Sequence, residues 1–272
     1  MYKHFLTSVL LVFFMLSCSK PSPFEGKMRE SVQTSLSWRN DTTGIWETAG
    51  WWNSANVLTA TIRYGAVTKD PAIPSVIEDV EASKLTGEKK YLDMAEIIFD
   101  DMTTGWSDAC GGGIFWKKNP LHYKNSIANN LFSLTAIRLY KATQNPAYLD
   151  WFKKNVDWYT QTGMINTDIY QIEDGTKDDC TPNRNAHYTY NQGVAIAVLA
   201  EMYLQTNDKS YLELAEKIAD ATITTQLVTD EGILREMKPE IDDSNDGVQF
   251  KGIFIRHLAF LYEVTKNPAY KD

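Results

Sequence analysis

Four short segments of this chain resemble one another at a spacing of about 60 residues. Each contains a threonine, a polar turn and then a tyrosine, and the four tyrosines are Tyr91, Tyr148, Tyr211 and Tyr270. Self-similarity at a period of this size is typical of a stacked supersecondary unit, because each unit buries its apolar face against the next. The repeat therefore limits the fold to a small set of architectures.

The repeating unit is a pair of helices of different character. The segments that begin at these tyrosines are amphipathic, as in YLDMAEIIF and YLELAEKIA, which predicts outer helices with one packed face. The segments before them are apolar nearly all round, as in NNLFSLTAIRLY and GVAIAVLAEMYL, which is typical of helices enclosed by protein. Alternating inner and outer helices predict an all-α fold of the (α/α)6-toroid type, with a bundle or an open solenoid as the alternative.

The pattern is incomplete at two places. Pro71 and Pro74 fall where the period calls for a long inner helix, and a proline inside a helix removes a donor and clashes with the preceding turn. The printed chain also ends at Asp272, where another outer helix would begin. Six helical pairs would need about 360 residues by the same period. We therefore expect an abridged toroid in which some apolar helix faces stay uncovered.

Composition and cysteine content exclude several functions. The formal net charge is −8 and no basic stripe is present, so we predict no nucleic-acid partner, because phosphate binding needs clustered Lys and Arg. Cys110 and Cys180 have neither a CxxC partner nor a histidine cluster, so no metal site is predicted. They form either a disulfide or two free thiols.

The first residues have the pattern of an export signal. Lys3 and His4 precede an apolar run at residues 5–16 that is too short to span a bilayer, and the run ends in MLSCSK. This resembles a bacterial lipoprotein processing site, with residues 1–17 as signal peptide, Cys18 as the lipidated residue and residues 18–35 as the lipid-bearing linker. We expect a monomeric outer-membrane lipoprotein whose single folded domain spans residues 36–272. The alternative is a secretory signal in which Cys18 is discarded.

The predicted inner helices begin with unusual first turns. They read GWWNSAN, YKNSIANN, YTYNQGV and VQFKG, and three of the four contain asparagine. In a toroid all inner helices start at the same end, so these turns would meet around one central pocket. Amides hydrogen-bond to hydroxyls and aromatic rings cover the apolar face of a sugar, so the pattern predicts a neutral carbohydrate ligand. The alternative is that each asparagine only caps its own helix.

Five motifs carry a resemblance to glycoside hydrolase family 76, the endo-α-1,6-mannanase family. They are GIWETAGWWNSANVL, CGGGIFW, YKNSIANNLF, EDGTKDDC and YTYNQGV, in the family's order, from about Thr43 to the C-terminus. The resemblance implies an (α/α)6 toroid, an α-1,6-mannan substrate, a retaining mechanism with two adjacent aspartates, and no metal or organic cofactor. The substrate-binding residues that it implies are Trp51, Trp52, Asn53, Asn56, Asn125, Asn129, Asp174, Tyr190, Asn191 and Gln192.

Asp174 matches an acidic position that contacts a sugar hydroxyl, although an aspartate before Gly175 is also typical of a turn cap. His122 and His187 are expected to be ordinary surface or loop histidines. Asp174 is therefore a candidate sugar contact, and neither histidine is a candidate catalytic group.

The catalytic residues stay unknown at this stage. Retaining glycosidases use two carboxyl groups about 5–5.5 Å apart. The resemblance puts the aspartate pair near the start of an inner helix that residues 71–88 do not supply. No nucleophile or acid/base is therefore assigned, since the following adjacent acidic pairs fall on predicted outer helices or in loops: Glu78–Asp79, Asp100–Asp101, Asp178–Asp179 and Asp242–Asp243.

Three functions are consistent with the sequence. The first is a glycoside hydrolase related to the endo-α-1,6-mannanases, with an abridged chain. The second is a surface lipoprotein that binds α-mannan or manno-oligosaccharides without hydrolysis. The third is a helical scaffold for other envelope proteins, which would have no use for an aromatic and amide-lined pocket.

Overall fold

The computed structural model describes residues 23–40, 46, 50–68, 89–117, 123–184, 187–225, 227–238 and 246–271. Within these ranges the regular structure consists of eight α-helices, one small sheet and two 3-10 turns. The helices are α1 (Pro23–Leu36), α2 (Gly50–Thr68), α3 (Lys89–Thr103), α4 (Ser126–Thr143), α5 (Pro146–Gln161), α6 (Thr189–Thr206), α7 (Lys209–Thr224) and α8 (Gly247–Thr265). The antiparallel strands are β1 (Ile165–Asn166) and β2 (Gln171–Ile172), and the 3-10 turns are Ala109–Gly111 and Pro268–Tyr270.

The predicted alternation of inner and outer helices is confirmed. Every residue of the inner helix α6 from Thr189 to Met202 is buried. The outer helix α7 buries only Ala215 and the residues three, four and seven positions after it, Ile218, Ala219 and Thr222, which share one face. The chain is therefore an all-α protein of helical hairpins, as the period indicated.

The turn from each inner helix to the next outer helix explains the threonine and the polar residues of the repeat. Gln144 ends α4 in the left-handed region with φ of 59°, and the Thr143 hydroxyl accepts a hydrogen bond from the Asn145 N–H at 3.2 Å. The Asn145 side chain then caps α5 by accepting from the Ala147 N–H at 3.1 Å. The same three roles belong to Thr206, Asn207 and Asp208 after α6, and to Thr265, Lys266 and Asn267 after α8.

The repeated tyrosine joins each hairpin to the one before it. The Tyr148 hydroxyl donates to Glu96 Oε1 on α3 at 2.9 Å, and the Tyr270 hydroxyl donates to Asp220 Oδ1 on α7 at 3.0 Å. Burial and then the charge of Asp157 on α5 raise the pKa of Tyr211. The repeat therefore encodes the stacking of the hairpins as well as their turns.

Helices α3 and α8 each expose more than one large apolar side chain. Helix α8 was predicted to be enclosed, but it packs chiefly on α6, and its Val248 and Ile255 are exposed. Met94, Ile97 and Ile98 of the outer helix α3 are also exposed. An all-round apolar helix is enclosed only when neighbours stand on every side, and among the described helices α8 contacts α2 and α7 much less than α6. The expectation of uncovered apolar faces agrees with this arrangement.

We predict opposite effects of one substitution at two helical glycines. A Cβ at Gly193 in α6 would lie 2.6 Å from Phe254 Cα in α8, so the two backbones cross where only glycine fits. Gly193→Ala should lower the free energy of unfolding by about 1–3 kcal/mol through overpacking. Gly252→Ala in α8, where a Cβ would meet no described atom within 4 Å, should raise it by about 0.5–1 kcal/mol. Urea denaturation measures both, and equal effects would contradict the close crossing.

A second prediction concerns alkaline pH. Burial raises the pKa of Tyr148 to about 12, and it also raises the pKa values of Tyr123, Tyr159, Tyr190 and Tyr270. Since tyrosines in the unfolded chain ionise near pH 10, the folded state holds more protons above that pH, and stability must fall as pH rises.

The test compares urea unfolding of the wild type and Tyr159→Phe between pH 10.5 and 12. The range starts at pH 10.5 because burial lowers the pKa of Lys124 to about 8. Loss of the Lys124 proton in the folded state makes stability rise with pH up to about 10.5, which would mask the effect of the tyrosines. The variant should lose stability less steeply, by up to about 1.4 kcal/mol per pH unit for one proton. Identical slopes would contradict the role of buried Tyr159.

Candidate functional site

Asp174 lies just after β2 and is partly exposed, with its carboxylate held from two directions. The Tyr123 hydroxyl donates to Oδ2 at 2.5 Å, and the Asn191 side-chain amide donates to Oδ1 at 3.0 Å. These donors come from the segment before α4 and from the first turn of α6. Asp174 therefore links two inner-helix starts across the chain and does not cap the turn before Gly175.

The backbone around Asp174 is fixed by the same two inner-helix starts. The Ser126 N–H at the start of α4 donates to the Asp174 carbonyl at 2.8 Å. The Gln192 side chain in α6 binds both backbone groups of Ile172, accepting from its N–H at 2.8 Å and donating to its carbonyl at 3.1 Å. The carboxylate thus stands on a preorganised segment between α5 and α6.

Tyr123 is held so that its hydroxyl stays a donor. The Asn183 amide donates to the Tyr123 oxygen at 2.9 Å, which leaves the phenol proton for Asp174. Burial, followed by the hydrogen bond to Asp174, raises the pKa of Tyr123. A Cβ on Gly175 would lie 2.4 Å from the Tyr123 hydroxyl oxygen, so glycine is what allows this close approach.

Two amide oxygens next to this carboxylate have no hydrogen-bond partner within the described part of the chain. They are Asn191 Oδ1, on a fully buried side chain, and Asn183 Oδ1. A carboxylate also offers about four acceptor positions, of which Tyr123 and Asn191 take two. The site is therefore rich in acceptors, which suits a ligand that brings hydroxyl donors.

An aromatic cluster stands beside the carboxylate. The ring centroid of Tyr190 lies 4.1 Å from that of Phe250 and 5.8 Å from that of Tyr188. Burial and then the negative charge of Asp174 raise the pKa of Tyr190. The first turns of α6 and α8 therefore meet here, as expected of inner helices that begin at the same end.

Three of the residues predicted to contact the sugar hydrogen-bond to the backbone. Asn125 caps α4 by accepting from the Ala128 N–H at 3.1 Å. The buried amide of Asn129 accepts from the Ile114 N–H at 2.8 Å and donates to the Ile114 carbonyl at 3.1 Å. Gln192 does the same for Ile172. Peptide groups thus engage both amide atoms of Asn129 and of Gln192, and the amide oxygen of Asn125.

Some predicted residues cannot be placed in the site. Asn56 in α2 donates to Gln249 Oε1 in α8 at 3.0 Å, which ties these two inner helices together. Residues outside the described side chains are Trp51, Trp52, Asn53, Cys18, His122, Glu78, Asp79, Asp242 and Asp243.

The remaining acidic pairs lie on the surface. Asp100 and Asp101 are exposed at the end of α3, and Asp178 and Asp179 are exposed in a loop. The Asp179 carboxylate accepts from the hydroxyl and N–H of Thr181, which lowers its pKa. No hydrogen bond or ion pair of the described residues joins Asp178 or Asp179 to Asp174.

Glu173 is a buried carboxylate that sequence reasoning missed. Its Oε1 accepts from the Asn166 amide at 3.0 Å and lies 3.7 Å from the Arg184 guanidinium. His187 Nε2 lies 3.5 Å from Glu173 Oε2. His187 is in a loop, as predicted, but it is buried and not on the surface. Glu173 and Asp174 are adjacent in sequence but bind different partners. The Glu173 carboxylate is fully buried and contacts Asn166 and His187.

The loop that contains CGGGIFW is fastened beside the site by a disulfide and a buried lysine. Cys110 and Cys180, 70 residues apart, are joined in a disulfide with a Cα–Cα distance of 5.2 Å, so the structure has the bridge that the sequence left open. The Lys124 ammonium donates to the Ser107 carbonyl at 2.7 Å and to the carbonyls of Ala109 and Gly112. These bonds tie the loop to the start of α4.

Tyr123, Asn183 and Trp116 are site residues that the sequence did not single out. Trp116 and Tyr123 both fall within or next to motifs already noted, CGGGIFW and YKNSIANNLF, but nothing in the local pattern predicts that their rings meet. Among the described residues no group of three metal-binding side chains was found. No helix in the described ranges is both long and apolar enough to cross a bilayer.

Removal of the disulfide should destabilise the protein. A bridge across 70 residues restricts the unfolded chain, and its loss costs about 2–4 kcal/mol. We expect the double variant Cys110→Ser/Cys180→Ser to show this loss in urea denaturation. Dithiothreitol should reproduce it in the wild type and leave the double variant unchanged, whereas a wild type insensitive to the reductant would contradict the prediction.

Comparison with known proteins gives concordant results. The sequence model of Glycosyl hydrolase family 76 matches residues 78–271. Mannan endo-1,6-alpha-mannosidase DCW1 of Saccharomyces cerevisiae is 30% identical over 181 residues, which are 63% of this chain and 40% of that protein. This chain spans less than half the length of the curated mannosidases that it matches.

Two solved structures are similar over most of the chain. One is an inactive variant, with two consecutive aspartates replaced, of the alpha-1,6-mannanase GH76A of Salegentibacter in complex with alpha-1,6-mannotetrose. It has a TM-score of 0.78 and 25% identity, with coverage of 90% of this chain and 82% of that one. The other is the Lin0763 protein of Listeria innocua, with a TM-score of 0.70, 28% identity and coverage of 80% and 69%.

Proposed function

The chain belongs to glycoside hydrolase family 76, and from this premise we propose that its Asp174 site binds α-1,6-linked manno-oligosaccharides. The observation that supports the proposal is the partly exposed Asp174 carboxylate, which Tyr123 and Asn191 orient while acceptor positions stay open around it. A carboxylate in this setting accepts hydrogen bonds from two neighbouring sugar hydroxyls. Charge-assisted bonds of this kind are the strong ones, so Asp174 is the anchor of the site.

The aromatic cluster supplies the apolar part of the interaction. A pyranose ring has hydroxyl edges and a face of C–H groups. Tyr190 contributes its flat ring beside Asp174, with Tyr188 and Phe250 packed against it. Trp51, Trp52 and Asn53 begin an inner helix, α2, in the same way, and we propose that they line the same pocket.

Two activities are compatible with this site. Hydrolysis of α-1,6-mannan is the activity that the family resemblance implies. Binding without hydrolysis is the second candidate, and one observation favours it: no adjacent acidic pair in the sequence matches the position of the family's paired aspartates. No nucleophile or acid/base is assigned to a residue of this chain, and the two activities are separated by experiment.

The location of the protein is part of the same proposal. Residues 1–17 have the pattern of a lipoprotein signal, and lipidation of Cys18 would tether the helical domain to the bacterial cell envelope. A monomer anchored there would meet mannan outside the cell. Metabolic labelling with a palmitate analogue, compared between the wild type and Cys18→Ala, tests the anchor.

The binding proposal is tested by calorimetry with α-1,6-mannotetraose. We expect Asp174→Asn to reduce affinity about 10- to 100-fold, because hydrogen bonds to a charged group contribute about 1.5–3 kcal/mol. Asn191→Leu should also weaken binding. Asp150→Asn, the same change at an exposed position on α5, is the matched control and should bind like the wild type.

Two results would contradict the proposal, and an assay of reducing ends distinguishes hydrolysis from binding alone. Equal affinity of folded Asp174→Asn and Asp150→Asn would remove Asp174 from the site, and a wild type that binds maltotetraose as well as mannotetraose would remove the mannan specificity. Release of reducing ends from α-1,6-mannan would establish hydrolysis, and affinity without release would establish binding alone.

A further inference from the structure

Trp116 is an exposed tryptophan one side chain away from Asp174. Its ring centroid lies 6.4 Å from that of Tyr123, and the two rings are nearly perpendicular, at 88°. The Trp116 N–H donates to the Tyr123 carbonyl at 2.9 Å, so backbone and ring are both held beside the phenol that binds Asp174. Trp116 is nevertheless 47% exposed. Its indole is therefore not part of the core.

We propose that Trp116 is a stacking platform for a second sugar unit, next to the unit anchored at Asp174. The inference rests on the proposed function and adds the side chain that receives the second sugar of the oligosaccharide. Asp174 and Asn183 bind the hydroxyl of Tyr123, whereas Trp116 contacts the Tyr123 ring and exposes a large apolar surface. An oligosaccharide whose first sugar donates its hydroxyls to Asp174 can place the apolar C–H face of its second sugar on the Trp116 ring.

The position of Trp116 is rigid enough for this role. Its loop is fastened by the Cys110–Cys180 disulfide and by the three carbonyls that bind the Lys124 ammonium. The Asn129 amide also fixes the backbone of Ile114, two residues before Trp116. A ring that is already in place when the ligand arrives does not lose conformational entropy on binding.

Lys117 covers this platform in the absence of ligand. Its Nζ lies 4.3 Å from the centroid of the Trp116 ring, and both side chains are exposed. A cation–π contact in water is weak, because the ammonium is as well solvated away from the ring. A sugar face can displace it, so Lys117 competes with the ligand for the indole.

The test compares a tetrasaccharide with a single sugar. Calorimetry with α-1,6-mannotetraose should show about a tenfold loss of affinity for Trp116→Ala and a smaller loss for Trp116→Phe, which keeps an aromatic ring. Affinity for methyl α-mannoside, measured by NMR titration, should be the same in Trp116→Ala and the wild type. Lys117→Met should bind the tetrasaccharide as tightly as the wild type or a few-fold more tightly.

Trp38→Ala is the matched control. This tryptophan follows α1 and is 68% exposed. Within the described part of the chain it has no contact with Tyr123 or Asp174. It should leave both affinities unchanged. A melting temperature of Trp116→Ala equal to that of the wild type would show that the variant is folded.

The outcomes separate this inference from the proposed function. A wild type that does not bind mannotetraose would overturn both. Binding by the wild type with an equal affinity in Trp116→Ala would overturn the platform alone. A parallel loss of affinity for methyl α-mannoside would overturn the second-unit assignment, because Trp116 would then contact the first sugar. Weaker binding by Lys117→Met would overturn the competition between Lys117 and the ligand.

Discussion

The rest of the structure depends on the turn that joins each inner helix to its outer partner. A left-handed residue ends the inner helix, and a capping Asn or Asp starts the outer one, at Asn145, Asp208 and Asn267. The tyrosine that follows reaches the preceding outer helix, with Glu96 and Asp220 as the acceptors. Because this short motif sets both the angle within a hairpin and the contact between hairpins, its repetition produces a ring of helices in which every inner helix runs in the same direction.

That common direction creates the site. Inner helices that start at one end bring their first turns together, and the Asp174 carboxylate lies where the starts of α4 and α6 meet. The segment that holds Asp174 lies between an outer and an inner helix, where the chain has no regular structure beyond β1 and β2. Its backbone groups are satisfied by side chains of the helix starts, with Gln192 on Ile172 and Asn129 on Ile114 as the clearest cases. The polar first turns thus serve two purposes, since Gln192 and Asn129 support the backbone of the loops and Asn191 orients the Asp174 carboxylate.

This double use limits what the sequence can predict. The period and the apolar patterns identified the inner and outer helices correctly. The reason is that the distribution of apolar residues in a segment reflects how many of its sides are covered by neighbouring helices. The amides of Asn129 and Asn191 could not be told apart from sequence, since both lie in the first turns of inner helices and both are fully buried. Their roles are decided by partners in irregular loops, Ile114 for one and Asp174 for the other. Tyr123 was missed for the same reason, as it reaches Asp174 only because Gly175 leaves space for its ring.

The arrangement also explains why sugar binding and hydrolysis can be separated in this protein. In a stack of repeats each unit contacts mainly its neighbours, so the consequences of an altered unit stay local. The groups around Asp174 come from the hairpins of α4–α5 and α6–α7, together with Phe250 of α8, and their hydrogen bonds are made within that part. The paired aspartates of the family belong by resemblance to an earlier unit, within which residues 71–88 lie. A change in that earlier unit removes catalytic carboxylates without removing Asp174, Tyr123 or Asn191. The groups proposed to bind mannan and the carboxylates expected to cleave it thus belong to different units of the stack, and this is why binding and hydrolysis are separate questions for this chain.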